Sequence, residues 1–440
     1  MNIIQPTKIV PITKLGECQF SSPLRRARTN GQGIMPFVTD DQYIRETGEV
    51  RIDRENDEEF LFERAGSREK LFFDPVKTRA AIVTCGGLCP GLNDVIRSIY
   101  LELRENYGIA EVLGIRFGYQ GLDPRIGQEP IVMTHQFVSM IHHQGGTFLG
   151  SSRGERDLKT MVDFLVNRQI DILYCIGGDG TQRGAHAIVE EIAKRGLKIA
   201  VVGVPKTIDN DILYCDRTFG LITAIEKSTQ VIQSAHVEAK GTPRGIGLVK
   251  LMGRDAGFIA CGATLASQEA DYCLIPESPF DLHGPTGVLA VLQHRMDTHG
   301  HAVVVVAEGA GQHLFDCDEG GYDASGNRKY QDIGVLMKER IIEHFQSVNH
   351  PVEVKYIDPS YIIRSAPANT DDRLLCDQLA RHAAHAGMSG RTDCLIGYKN
   401  GKCIHLPIGM AVAHKQKVDL EGPIWASVLA TTGQPIRFGE

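Results

Sequence analysis

From Arg79 onward, apolar runs of strand length recur at 80–84, 112–117, 172–176 and 199–204, and the stretches between them carry apolar residues at helical spacing. A second series follows, with strands near 245–250, 272–275, 302–307 and 352–357 and helices predicted over 218–240, 256–267, 287–296 and 333–345. Strand and helix patterns alternating in this way predict parallel sheets covered on both faces. The expected fold is α/β: two doubly wound, mainly parallel-sheet domains at 79–215 and 216–390. An N-terminal arm over 1–78 precedes them, and a segment over 391–440 packs back on the core. The arm is read from its irregular, turn-rich sequence around SSPLRRARTNGQG and its charged stretch at 49–64, EVRIDRENDEEFLFER, and is expected to wrap the core or a partner. In doubly wound sheets ligands gather at the carboxyl ends of strands, where the glycine-rich turns of this chain fall.

Composition narrows the class. The 440 residues, 42% hydrophobic and 23% charged with a net charge of −7, suffice for two packed domains and carry no basic excess of the kind nucleic acid selects. The opening residues MNIIQPTKIVPITK lack the apolar stretch of a signal peptide, and no window approaches a membrane span, so a soluble cytoplasmic enzyme is expected. Eleven cysteines fit that compartment, because Cys175, Cys273 and Cys394 sit in strand-like runs where a thiol behaves as a small hydrophobe. Cys85 and Cys89 have a metal-like spacer but no second pair at ligand spacing, and are read as ordinary thiols.

Three loops carry chemistry. TCGGLCPGLND, at 84–94, removes side chains at Gly86 and Gly87 so that backbone N–H groups can approach a phosphate, although a tight turn without ligand explains it equally well. GGDGT, at 177–181, lies between the strand DILYCI and a helix, and it sets Asp179 between glycines, a place suited to a solvated carboxylate or a Mg²⁺ ligand. Diacylglycerol and NAD kinases use a similar GGDGT, so this motif points to phosphoryl chemistry more than to a substrate. PKTIDND, at 205–211, spaces Thr207, Asp209 and Asp211 so that an extended backbone would point them to one side; the alternative is an Asx-type turn. One carboxylate there would take a proton from an attacking hydroxyl while the other orients metal or solvent.

Taken in order, TCGGLCPGLN, GGDGT, GVPKTIDNDI, LVKLMGRDAGFIA, VVAEGAGQ and PSYIIR resemble the 6-phosphofructokinase family over nearly all of the chain from Arg79 to about Pro435. The likeness is closest to the long ATP-dependent enzymes of trypanosomes and plants, which are related to pyrophosphate-dependent ones. The resemblance implies transfer of the γ-phosphoryl of ATP to the 1-hydroxyl of fructose 6-phosphate, with 79–215 as the ATP and Mg²⁺ domain and 216–390 as the sugar-phosphate domain. It implies Asp209 as general base, with Thr207 and Asp211 positioning sugar and metal-bound water, and Asp179 as the Mg²⁺ ligand. Gly87, Arg153, Gly154, Gly178, Asp179, Gly180 and Thr181 would surround the ATP phosphates. Thr207, Ile208, Asp209, Met252, Gly253, Arg254, Glu308, Tyr361, Ile362, Ile363 and Arg364 would contact the sugar phosphate. Arg254 has pairing with Asp255 as its bland alternative. Short bacterial relatives carry histidine at the position of Tyr361, and place an arginine where this chain has Gly245 with Arg244 beside it. His142 and His143 are read as helix-surface or packing residues, and a homotetramer is implied.

The donor turns on Gly180 and Lys206. Pyrophosphate-using relatives typically have Asp at the position of Gly180; a charge about 4 Å from the α-phosphate costs on the order of 4 kcal/mol at an effective dielectric near 20, roughly a thousandfold in binding. Lys206 occurs in pyrophosphate enzymes, yet the long ATP-dependent group combines it with the glycine, so ATP is the expected donor. NAD kinase would add an Asn-Glu pair that this chain lacks. A silent regulatory or sensor relative could lose Asp209, Asp179 or Arg364, all of which are present.

Overall fold

The structure is a computed structural model that describes residues 7–24, 37–48, 59–154, 157–315, 321 and 329–439. The chain forms two units, one of Met1–Thr207, Ile212–Gly220 and Ala366–His414, the other of Ile208–Asp211, Leu221–Ser365 and Lys415–Glu440. Each is built on a sheet whose inner strands are largely buried and apolar, as the runs in the sequence predict, while edge strands such as Glu353–Ile357 are partly exposed.

The first unit holds seven strands in the order Lys402–Pro407, Cys394–Lys399, Ala200–Pro205, Ile172–Gly177, Arg79–Thr84, Glu111–Ile115 and Ile131–Val132. The inner five run parallel and the two edge strands antiparallel. Strand order reverses between Arg79–Thr84 and Ile172–Gly177, because the chain moves outward from the former in one direction and later returns to its other side. Such a reversal leaves an opening at the carboxyl ends. Thr84 aligns with Ile176 and Pro205 with Gly177, so the first glycine loop, GGDGT and PKTIDND leave the sheet side by side.

The second unit holds four parallel strands in the order Tyr272–Leu274, Ala302–Ala307, Gly245–Leu251 and Glu353–Ile357. Helices Leu221–Gly241, Phe258–Ser267, Val288–His299 and Ile333–Ser347 lie close to their expected places. Its core gathers buried residues from Leu221 to Phe438, the valines of Ala302–Ala307 among them.

Two boundaries differ from expectation. Ala366–His414 belongs to the first unit: Ser98 Oγ of helix Leu92–Leu101 donates to Asp377 of helix Thr370–Met388 at 2.8 Å, and Cys394 aligns with Val202 in the parallel sheet. Only 415–440 of the expected C-terminal segment goes to the second unit. The described part of the arm is ordered on the first unit. Thr7–Ile9, Glu59–Glu63 and Tyr43–Arg45 form a small sheet, and Glu63 is buried among Arg68, Arg391 and His405. Of the charged stretch at 49–64, residues 49–58 lie outside the described residues, as do 25–33 of SSPLRRARTNGQG.

Candidate functional site

On the first unit, the three strand exits converge on backbone. Gly86 has φ +85, and a Cβ there would stand 3.2 Å from Lys206 Nζ; one at Gly87 would stand 3.4 Å from Arg153 Nη2. Gly86 is tied to the neighbouring loop through its N–H to Ser152 O at 3.2 Å and its carbonyl, which accepts from Ser151 Oγ at 2.5 Å. Arg153 and Gly154 are exposed beside it. The GGDGT loop is fixed from beneath, where Gln182 Nε2 donates to the carbonyls of Cys175, Gly177 and Val204 at 3.2, 3.0 and 3.3 Å. A Cβ at Gly203 would lie 2.1 Å from Gln182 Oε1, so this close packing requires glycine.

Gly178 caps the 16-residue helix Asp179–Lys194 in extended conformation with no side-chain cap bond, a helix start suited to anions. Gly180 is exposed in its first turn. Thr181 is buried; its carbonyl accepts from Tyr119 Oη at 2.6 Å and its N–H donates to Gly178 O at 2.9 Å. Asp179 has 11% side-chain exposure, with Arg183 Nη2 3.9 Å away one turn on. Among the described residues no group of three or more His, Cys, Asp or Glu side chains gathers to hold a metal. A single carboxylate at a helix start has the chemistry of a Mg²⁺ ligand, since that ion takes one or two protein carboxylates and completes its shell with phosphate oxygens and water.

The expectation of an extended PKTIDND is corrected. The strand ends at Pro205, Ile208 and Asp209 form a turn, and Asn210 sits at φ +58, a left-handed conformation that asparagine tolerates. Thr207, whose carbonyl accepts from Thr218 Oγ1 at 2.7 Å, therefore belongs to the first unit, while Ile208 packs on the core of the second. Asp209 Oδ2 accepts from the Arg254 N–H at 3.4 Å. Burial, reinforced by the like charges of Asp211 and Glu308, pushes the Asp209 carboxyl up to about 8. Asp211 is buried and ion-paired with Lys415, a partner that sequence reading missed.

The other residues of the second unit meet at its own strand exits. The Glu308 N–H donates to Leu251 O at 2.9 Å and that of Gly309 to Gly253 O at 3.0 Å, joining the MGR loop to the end of Ala302–Ala307. Gly253 has φ +128, and a Cβ at Gly309 would fall 1.7 Å from Arg254 O. Met252 is buried in the core, whereas Arg254 lies over the Tyr330 ring at 4.5 Å and Asp255 accepts from Tyr330 Oη at 3.3 Å. Burial raises the Glu308 carboxyl, and the charges of Arg254, Arg364 and Lys250 oppose that rise. In the short helix Ser360–Arg364, Tyr361 and Ile362 are exposed, the Ile363 side chain is fully buried, and Arg364 stacks over Tyr361 at 4.8 Å.

Some residues stand apart. Arg244 precedes the start of Gly245–Leu251, at the end opposite Met252, where it pairs with Asp297 at 3.4 Å and lies over Phe345 at 5.7 Å. His142 and His143 stack on each other at 3.9 Å in a single turn of helix. Cys85 and Cys89 are buried thiols. No described helix is long and apolar enough to cross a membrane. Besides Lys415, reading the sequence missed Tyr330, Gln182 and Lys250; the last was visible as a charge inside an apolar run.

These features define an α/β protein that presents glycine loops, a helix start and a cluster of arginines and carboxylates at the carboxyl ends of parallel strands, the class that handles phosphorylated ligands. The family model described as phosphofructokinase matches residues 79–386. The ATP-dependent 6-phosphofructokinase of Borreliella burgdorferi is 46% identical over 432 residues, covering 97% of this chain and 96% of that protein. The enzyme of the same name from Trypanosoma brucei brucei is 46% identical over 375 residues, 84% of this chain and 76% of its own. This chain belongs to the phosphofructokinase family. In fold it is similar to the pyrophosphate-dependent phosphofructokinase of Marinobacter aquaeolei, with a TM-score of 0.66 at 19% identity over 82% of this chain and 93% of that one.

Proposed function

We propose that this chain is an ATP-dependent 6-phosphofructokinase that transfers the γ-phosphoryl group of ATP to the 1-hydroxyl of fructose 6-phosphate. The observation that carries the reading is Asp209, a carboxyl raised toward neutral pH beside Glu308 and held by the Arg254 N–H. A base is most effective when its proton affinity lies near the working pH. Asp209 accepts the proton of the sugar hydroxyl as that oxygen bonds to phosphorus and the bond from phosphorus to the departing ADP oxygen breaks. Arg254, Glu308 and Arg364 orient the sugar and its 6-phosphate, with the planar fork of Arg364 suited to phosphate oxygens.

On the first unit, Gly87, Arg153, Gly154 and the backbone of Gly178 to Thr181 serve the ATP phosphates by offering N–H donors and one guanidinium. Asp179 is the residue that would hold Mg²⁺, which when bound supplies neutralising charge to phosphate oxygens. ATP as donor is supported by the relatives, which are ATP-dependent 6-phosphofructokinases, and by Gly180, which brings neither bulk nor charge to the helix start. The family resemblance further supports a homotetramer. The test is a coupled assay of purified protein with fructose 6-phosphate and either ATP or pyrophosphate. Turnover with ATP and little with pyrophosphate is expected; the reverse preference, or no fructose 1,6-bisphosphate with either donor, overturns the reading.

A further inference from the structure

We infer that Lys250 is a positioning residue for the sugar-phosphate end of the site, its ammonium joining the starts of two helices that orient Arg364 and Arg254. The inference rests on the function proposed above and concerns a residue that touches no substrate in that scheme. Lys250 is the next-to-last residue of Gly245–Leu251, 9% exposed between the fully buried Val249 and Leu251. A cation in such a run is costly unless its partners are good. Here they are: Nζ lies 2.8 Å from Asp332 Oδ2 and 2.9 Å from Asp358 Oδ2. Burial alone would lower the ammonium's proton affinity, yet the bonds to Asp332 and Asp358 raise it, so Lys250 stays charged at any physiological pH.

Each carboxylate uses its other oxygen to organise a different segment. Asp332 Oδ1 caps helix Ile333–Ser347 by accepting from the N–H groups of Gly334 and Val335 at 3.0 and 3.2 Å. Two residues earlier stands Tyr330, the ring under Arg254. The residue between them, Gln331, exchanges hydrogen bonds with Gln312, whose Nε2 also donates to Glu308 O at 3.0 Å. Asp358 Oδ1 accepts from the Ser360 N–H at 3.0 Å and from the Ser360 hydroxyl, fixing the start of the short helix that carries Tyr361 and Arg364. One point charge with three donors can serve two carboxylates arriving from different elements; the planar fork of arginine is poorly shaped for that. Losing the ammonium leaves two carboxylates facing each other and loosens both segments together.

The test is Lys250→Met, which keeps the apolar stem. The KM for fructose 6-phosphate, and its Kd by calorimetry without ATP, should rise roughly 10- to 100-fold, the cost of misplaced binding groups, while KM for ATP stays near its wild-type value. If that variant does not fold, Asp358→Asn, which spares the pair with Asp332, should show a smaller rise confined to the sugar phosphate. The inference is overturned if sugar-phosphate affinity is unchanged in the variant that folds, or if both substrates weaken equally together with a lowered Tm. Wild-type protein that binds no fructose 6-phosphate sinks the proposed function instead, a separate outcome.

Discussion

The carboxyl edge of the first unit's sheet is built by withdrawing side chains, and that of the second by crowding them in. Gly86, Gly87 and Gly178 open the first edge, where donors are backbone N–H groups and a helix start, with Lys206 and Arg153 close by. The second edge gathers Asp209, Asp211, Arg254, Glu308 and Arg364, with Lys250 braced beneath. A polyphosphate is flexible and diffusely charged, so main-chain donors suit it. A sugar must be held in one pose while a proton leaves one hydroxyl, which takes side chains with locked directions. The second solution is electrostatically costly, since three carboxylates share one neighbourhood, and the raised proton affinity of Asp209 is where the cost appears.

The sharpest way to break this contrast is to disarm the proposed base. Asp209→Asn keeps the shape of the second edge and should lower kcat by roughly 10²- to 10⁴-fold, the usual worth of a positioned base, with KM values much less affected. Steady-state kinetics check it, and an unchanged kcat would remove Asp209 from the chemistry. The first edge should fail differently. Gly180→Asp adds charge at the helix start proposed to meet the nucleotide and should weaken ATP use by about a thousandfold, on the order of 4 kcal/mol, leaving binding of fructose 6-phosphate intact. Full ATP turnover in that variant would separate the donor preference from this loop.

A finer test concerns acidity. In its proposed role Asp209 acts as a carboxylate, and its folded-state affinity for protons is raised, so kcat/KM should climb with pH through an apparent value near 8 in the free enzyme. Asp211→Asn removes a like charge and leaves the cation of Lys415 nearby; both effects favour ionised Asp209. The acid limb should therefore move to lower pH by about one unit. A pH profile of the variant reads this directly, and a limb that stays put or moves upward contradicts the assigned cause.

How far the sequence spoke for itself differs between elements. The strands were legible because parallel, doubly covered strands are apolar throughout, as in AVVVVA at Ala302–Ala307. The glycine loops were legible because they follow such strands directly. The return of Ala366–His414 to the first unit was hidden, since contiguity along the chain does not say which sheet a late strand joins. The turn at Asp209 was the less favoured of two readings, because alternating polar residues after a strand read as more strand, and the left-handed backbone of Asn210 decides for the turn. The pairing of Asp211 with Lys415 joins positions at opposite ends of the second unit's sequence, beyond the reach of any local pattern.

The smallest expected effect tests whether crowded charge is confined to the second edge. Asp94, the last residue of the TCGGLCPGLND segment and in the first turn of helix Leu92–Leu101, is a buried carboxyl 3.8 Å from Arg373. Burial pushes it up to about 6, more than Arg373 and Arg97 can offset, and Asp372 adds like charge. The sign follows from the folded-state value lying above the unfolded one. Below about pH 4 both states are protonated and nothing is lost; as pH rises toward 6 the unfolded chain ionises more readily, and the native state is penalised fully above that. The difference from the ordinary carboxyl value corresponds to about 3 kcal/mol at most, from which loss of the Arg373 pair must be subtracted. Asp94→Asn should therefore stabilise the protein by about 1–2 kcal/mol at pH 7.5 and by much less at pH 4.5. Denaturant titrations at the two pH values check it: an equal shift at both would assign the effect to packing, and a loss at pH 7.5 would mean that the pair with Arg373 outweighs burial.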